Sequence, residues 1–230
     1  MKTLGIIGGM SWESTQTYYT ALNRLVRKAK GGLHSAPLVI WSVDFAPLEA
    51  QQAQGDWNGI GDELGAIARR LQDAGAEVIL LATNTMHKVA EAICGGISVP
   101  FLHIAEATAT AVTTAGLHKV GLLGTRYTME QDFYRSKLEA VGLDVVVPAV
   151  EARAEINRII FDELCLGICS ETSRRFYLEV IAELRRNGAE GIILGCTEIG
   201  LLIIPELLPG CPLFDTAEIH AQAAARFILS

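Results

Sequence analysis

The chain has 230 residues, 50% of them hydrophobic and 20% charged, enough apolar material for one large or two small domains. A net charge of −7, with no stretch where Lys and Arg alternate with aromatics, disfavours a nucleic-acid partner. No run of about 18 apolar residues occurs, so no membrane-spanning helix is expected.

The first predicted element is a strand, Leu4-Gly5-Ile6-Ile7-Gly8. The run is short, broken by glycines and followed by Trp12-Glu13, which reads as a strand and its loop rather than a signal peptide and suggests a cytoplasmic protein. Ser11 stands where a helix N-cap belongs, with Ser14 in the first turn, and Trp12 could wall a pocket. Gly5 to Gly9 does not form G-x-G-x-x-G and no Gly-Lys-Ser/Thr follows, so the signal for a nucleotide is weak.

Beyond this point, short apolar runs ending in Gly or Pro alternate with amphipathic segments, the pattern of an α/β chain with parallel sheets. The second half repeats the first. Leu4-Gly5-Ile6-Ile7-Gly8 matches Val120-Gly121-Leu122-Leu123-Gly124 at an offset of 116. The run from Gly75 to Thr85 aligns without gaps to that from Gly188 to Glu198 at 113, and Pro100-Phe101-Leu102-His103 aligns to Pro212-Leu213-Phe214-Asp215 at 112. Leu71 matches Leu184 in the helices before, and Gly75 and Gly188 stand at their C-terminal caps. Three matches in one order at nearly constant offset imply two related halves. Duplicated halves commonly face each other about an approximate two-fold axis, and open α/β sheets bind ligands beyond the carboxyl ends of their strands. Thr83 and Cys196 hold the same position at that end, one in each half. A small molecule between such halves would meet Thr83 on one side and Cys196 on the other, which suits inversion of a stereocentre.

Cofactor-free removal of a proton from an amino-acid α-carbon needs a base on each face and donors around the carboxylate as enediolate charge develops. A thiolate suits that work, and a helix N-terminus can lower a thiol's pKa. Thr197 and Glu198 begin the segment after Cys196, and Gly195 leaves room for close approach. A cysteine ending an apolar strand can equally be an inert core residue. The five cysteines, at 94, 165, 169, 196 and 211, form no disulfide framework. Cys165 and Cys169 lie four apart, yet no second Cys or His pair follows at metal spacing, so no metal is expected and the four other cysteines read as structural.

Gly8-Gly9-Met10, Thr83-Asn84-Thr85-Met86-His87 and Gly195-Cys196-Thr197-Glu198 resemble the motif set of the aspartate/glutamate racemase family, whose usual pattern is Cys-Asn-Thr in the first half and Gly-Cys-Thr-Glu in the second. The resemblance covers essentially the whole chain and implies two similar flavodoxin-like domains related by pseudo-two-fold symmetry. Because the C-terminal segment is expected to return to the first domain, it implies one domain of residues 1–98 plus 206–230 and another of 99–205. It implies racemisation without cofactor or metal, and a homodimer. Cys196 matches one catalytic cysteine, and Thr83 replaces the other. Asn84, Thr85, Thr197 and Glu198 match positions that hold the carboxylate and amino group, while Met10 and Gln52 would line the pocket. Asn84 and Thr85 also fit simple helix capping. Glu198 resembles the aspartate branch, since glutamate racemases usually carry His there.

Acidic-substrate members are expected to present basic residues to the distal carboxylate, but no Lys or Arg lies between Lys30 and Arg69 or between Arg158 and Arg174. A neutral side chain such as homoserine's could therefore fit beside aspartate and glutamate. A single-cysteine decarboxylase or isomerase, and an amino-acid-binding protein without catalysis, are the rival readings. His34, His87, His103, His118 and His220 read as structural or surface residues or as proton relays, His87 being four residues from Thr83.

Overall fold

The computed structural model describes residues 1–230, which divide into two compact units, 1–104 with 220–230 and 105–219. The first unit begins with β1 (Leu4–Gly8), α1 (Trp12–Lys30), β2 (Leu38–Ser42), α2 (Phe45–Gln54), α3 (Trp57–Asp73) and β3 (Val78–Leu81). A 3-10 turn (Thr85–Val89), α4 (Ala90–Cys94) and β4 (Phe101–Leu102) follow. Next come α5 (Ile104–Thr114), β5 (Lys119–Gly124), α6 (Arg126–Glu130), α7 (Asp132–Glu139), β6 (Asp144–Val146), α8 (Val150–Asp162) and a 3-10 turn (Leu164–Leu166). The chain continues through α9 (Glu171–Arg186), β7 (Gly191–Gly195), α10 (Ile199–Leu202), a 3-10 turn (Pro205–Leu207), β8 (Leu213–Asp215) and α11 (Thr216–Leu229).

Each unit holds a parallel four-stranded sheet in the same order, β2-β1-β3-β4 and β6-β5-β7-β8. This is the flavodoxin-like α/β arrangement, with its switch point between the two central strands. The central strands β1, β3 and β7 are buried along their whole length, as near-continuous apolar runs covered on both faces must be. No helix is long and apolar enough to cross a membrane.

The sequence repeat survives as strand register. Leu4 pairs with Val78 and its match Val120 pairs with Gly191, while Ile79 pairs with Phe101 and its match Ile192 with Leu213. The helix C-termini repeat as well: Gly75 and Gly188 both adopt φ +94°, and the amides of Ala76 and Ala189 donate to Leu71 and Leu184 carbonyls six-to-one. In the strands beneath, Gly5 and Gly121 are glycine because a Cβ would stand 2.7 Å from Ile79 Cδ1 or Ile192 Cδ1, in the space Leu71 and Leu184 fill. Even a surface device is duplicated, since Glu77 accepts from the Thr3 amide and Glu190 from those of His118 and Lys119.

The division differs from the expected 98/99 and 205/206 boundaries, and pairing gives the reason. Phe101-Leu102 hydrogen-bonds to β3 of the first sheet, and Leu213–Asp215 pairs with β7 of the second. The C-terminal return to the first unit is therefore confined to the last residues, where the Lys2 amide donates to Ile228 and His220 meets Tyr18.

Candidate active site

In the first unit the site residues follow β1 and β3. Ser11 caps α1 by accepting from the Ser14 amide, and the Ser14 hydroxyl donates to the Ala82 carbonyl, tying the α1 start to the end of β3. Gly9, at φ +96°, donates its amide to Thr15 Oγ1 at 2.7 Å; a Cβ there would strike the Val43 backbone. Met10, Thr83, Asn84 and Thr85 are all buried, as is Gln52 two turns into α2, whereas Trp12 is largely exposed. Asn84 makes no side-chain capping bond, so capping does not account for it.

His87 holds the turn after Thr83. Its Nδ1–H donates to the Thr83 carbonyl at 2.7 Å and its Nε2 accepts from the Ile104 amide at 3.2 Å, which fixes a neutral tautomer. Burial, with His103 and His220 close by, holds its pKa well below the ordinary histidine value. His220 is fixed likewise, Nε2–H donating to Leu102 O and Nδ1 accepting from Tyr18 OH, each at 2.9 Å, and burial pushes its pKa down to about 3. Both are structural clamps. His34 and His118 are exposed.

In the second unit, β7 delivers Cys196, Thr197 and Glu198, all buried. Cys196 Sγ–H donates to Glu198 Oε2 at 3.0 Å, and Thr197 Oγ1–H donates to the same oxygen at 2.8 Å. Two sequence expectations fail here. Helix α10 spans only Ile199–Leu202, and the thiol's pKa is raised, by burial first and then by the Glu198 carboxylate. Gly195 serves packing rather than access, because a Cβ would stand 2.6 Å from the Leu123 carbonyl on the neighbouring strand. Burial and the carboxylate thus both favour the protonated thiol in the resting state.

Neighbours that sequence reasoning passed over complete this end. Tyr177, on α9, belongs to the same apolar cluster as Cys196, and Cys165 packs against it. Cys165 is half-buried there, in keeping with its reading as a structural cysteine. Only the repeat could have pointed to Tyr177, through its alignment with Leu64 at the offset of 113. Cys169 contacts the Leu201 carbonyl, Cys94 is exposed and Cys211 buried, with no disulfide among the five. No three His, Cys, Asp or Glu side chains converge as metal ligands would.

A duplicated flavodoxin-like fold, with polar residues buried past the central strand of each copy and a thiol at one of them, defines a two-unit α/β protein of the kind that binds ligands beyond its strand ends. Residues 7–224 match the family model described as Asp/Glu/Hydantoin racemase, and the chain belongs to that family. A glutamate racemase of Thermus thermophilus is 33% identical over 166 residues, 70% of this chain and 58% of its own length, so the chain matches little more than half of that relative. Among solved structures, a candidate Asp/Glu racemase from Yersinia pestis shares 53% identity with TM-score 0.92, covering all of both chains. An aspartate racemase homologue from Pyrococcus horikoshii shares 38% with TM-score 0.86, again over both whole chains.

Proposed function

We propose that the chain is a cofactor-independent amino-acid racemase, acting on aspartate or glutamate and open to a neutral polar side chain such as homoserine's. The observation that carries this reading is the buried Cys196 thiol donating to Glu198 at the end of β7, in a member of the racemase family. The proton moves along that bond from Sγ to Oε2, leaving a thiolate beside a neutral carboxylic acid with no change in net charge. An incoming ammonium group is drawn to this thiol–carboxylate pair, while Thr197 and the amides after β7 suit its carboxylate.

The Cys196 thiolate then takes the α-proton from the L enantiomer, an assignment resting on the family resemblance. Thr83 supplies a proton to the other face, directly or through water, and its oxygen is reprotonated in turn. Asn84, Thr85, Met10 and Gln52 are assigned to substrate binding. Openness to a neutral substrate is supported by the guanidinium groups that bound the cation-free stretch 159–173, both of which are engaged elsewhere: Arg158 by Glu155 and Glu163, and Arg174 by Glu171 and the Leu202 carbonyl. The working assembly is proposed as a homodimer on family grounds, checked by light scattering of the eluting protein.

The test is incubation in D2O without cofactor, separately with both enantiomers of aspartate, glutamate and homoserine. Loss of the α-proton is followed by NMR and inversion by chiral chromatography. Exchange and inversion present in the protein and absent in Cys196→Ser support the reading. Amino-acid binding without exchange, in folded protein, overturns it in favour of a binding protein.

A further inference from the structure

Tyr177 is fully buried, and its hydroxyl oxygen has no hydrogen-bond partner. A buried hydroxyl left unpaired costs about 1–3 kcal/mol, so phenylalanine would serve packing alone better. The duplicated unit makes the same point independently. At the 113-residue offset that aligns Leu71 with Leu184, the buried positions Ile60, Leu64, Ile67, Ala68 and Leu71 of α3 match Ser173, Tyr177, Val180, Ile181 and Leu184 of α9. The fold therefore seats this helix with an apolar Leu64 in the unit that ends in Thr83, and with a tyrosine in the unit that ends in Cys196.

We propose that Tyr177 is a positioning residue for Cys196, its hydroxyl donating a hydrogen bond to Sγ once the thiol proton has passed to Glu198. In the resting state Sγ–H points at Glu198 and has little to offer a second donor; as a thiolate it accepts from one readily. The unsatisfied hydroxyl is thus matched to the charged state of the thiol rather than the neutral one, and the bond favours thiolate formation. The phenol keeps its proton throughout, because burial first, and then the acidic side chains around it, push its pKa well above the usual value; those side chains are Cys196, Cys165, Glu163 and Glu155. Those groups, with Glu198, are the titratable neighbours of the pair. Glu163 is itself held by Ser173, Ser170 and Arg158, so its charge stays fixed while Cys196 titrates.

The inference deepens the racemase reading, yet it can be tested without substrate. The rate at which iodoacetamide alkylates Cys196, read from the mass of its peptide, reports thiolate formation as pH is raised. In Tyr177→Phe the alkylation rate at neutral pH is expected to fall about tenfold and its pH midpoint to rise by about one unit. The unfolding temperature should hold or rise, because an unpaired buried hydroxyl has gone. Tyr177→Leu, which copies the first unit, should show the same shift in midpoint whatever its stability. An unchanged midpoint in both variants overturns the proposal and leaves Tyr177 as packing. Loss of Cys196-dependent exchange in the unmodified protein would bear instead on the racemase reading.

Discussion

At the end of β3 stands Thr83, its carbonyl clamped by a neutral histidine, with Leu64 at the repeat position on the covering helix. At the end of β7 stands Cys196, its thiol on a carboxylate, with Tyr177 at that helix position. Strand register, the Gly75 and Gly188 helix ends and the Gly5 and Gly121 contacts repeat in both units. The duplicated backbone is thus compatible with two quite different sets of titratable groups: neutral imidazoles around one end, a thiol hydrogen-bonded to a carboxylate at the other. A pair of ends so unequal suits a reaction whose two proton transfers are unequal.

The largest expected effect is removal of the thiol. Cys196→Ser should slow Cα exchange by about 10²–10⁴-fold, measured by NMR in D2O, while far-ultraviolet circular dichroism stays unchanged. A smaller loss would mean that the Thr83 end carries more of the chemistry than proposed.

Next comes a packing difference between the ends. Ala82 aligns with Gly195, so the first unit has an alanine where the second has Leu123 O only 2.6 Å from any added Cβ. Gly195→Ala should destabilise the protein by about 1–3 kcal/mol in urea denaturation, since a backbone carbonyl cannot give way as a side chain can.

Acid should strike the imidazole clamps. The folded His220 value of about 3 lies below the ordinary 6.5, so on falling pH the unfolded chain takes up a proton that the folded one refuses. Stability contributed by the neutral ring is whole above about pH 6.5 and is lost downward at about 1.4 kcal/mol per unit. His87 acts in the same sense. All three tryptophans, at 12, 41 and 57, lie in the first unit, so their fluorescence reports this loss. His220→Gln should flatten the dependence of the urea midpoint on pH between about 6.5 and 4.5.

The smallest effect compares the caps. Ser11 accepts from Ser14 N and Thr125 from Thr128 N, so Ser11→Ala and Thr125→Ala should each cost about 1 kcal/mol in the same denaturation experiment. A large inequality would show that one cap also shapes its strand end.

The repeat made most of this legible from sequence. Matching runs at offsets of 116, 113 and 112 carry over into strand register, and the Gly75 and Gly188 caps appear where expected. The unit boundary did not, because Phe101-Leu102 is too short to declare which sheet it joins until β3 offers its edge. At the site, burial of Thr83, Asn84, Thr85, Cys196, Thr197 and Glu198 follows from their strand ends. The direction of the Cys196 pKa does not, since burial of the thiol and then the Glu198 carboxylate on which it donates outweigh anything a four-residue helix could supply. Tyr177 reads as an ordinary core aromatic until its oxygen is found unpaired.

The inequality of the two ends is tested most directly by comparing exchange with inversion from each enantiomer in D2O. The enantiomers have equal free energy, so kcat/KM must be the same in both directions, and asymmetry can show only in saturating rates and in exchange. A Cys196 thiol can swap its proton with solvent and return deuterium to the same face, so the enantiomer it serves should exchange faster than it inverts. Under the proposed roles the other enantiomer begins from a Thr83 alkoxide, costing about 1.4 kcal/mol per pKa unit separating the groups, and should exchange only as fast as it inverts. Thr83→Cys should bring the two ratios together. Equal exchange-to-inversion ratios in the unmodified protein, or ratios that Thr83→Cys leaves unchanged, would contradict the account.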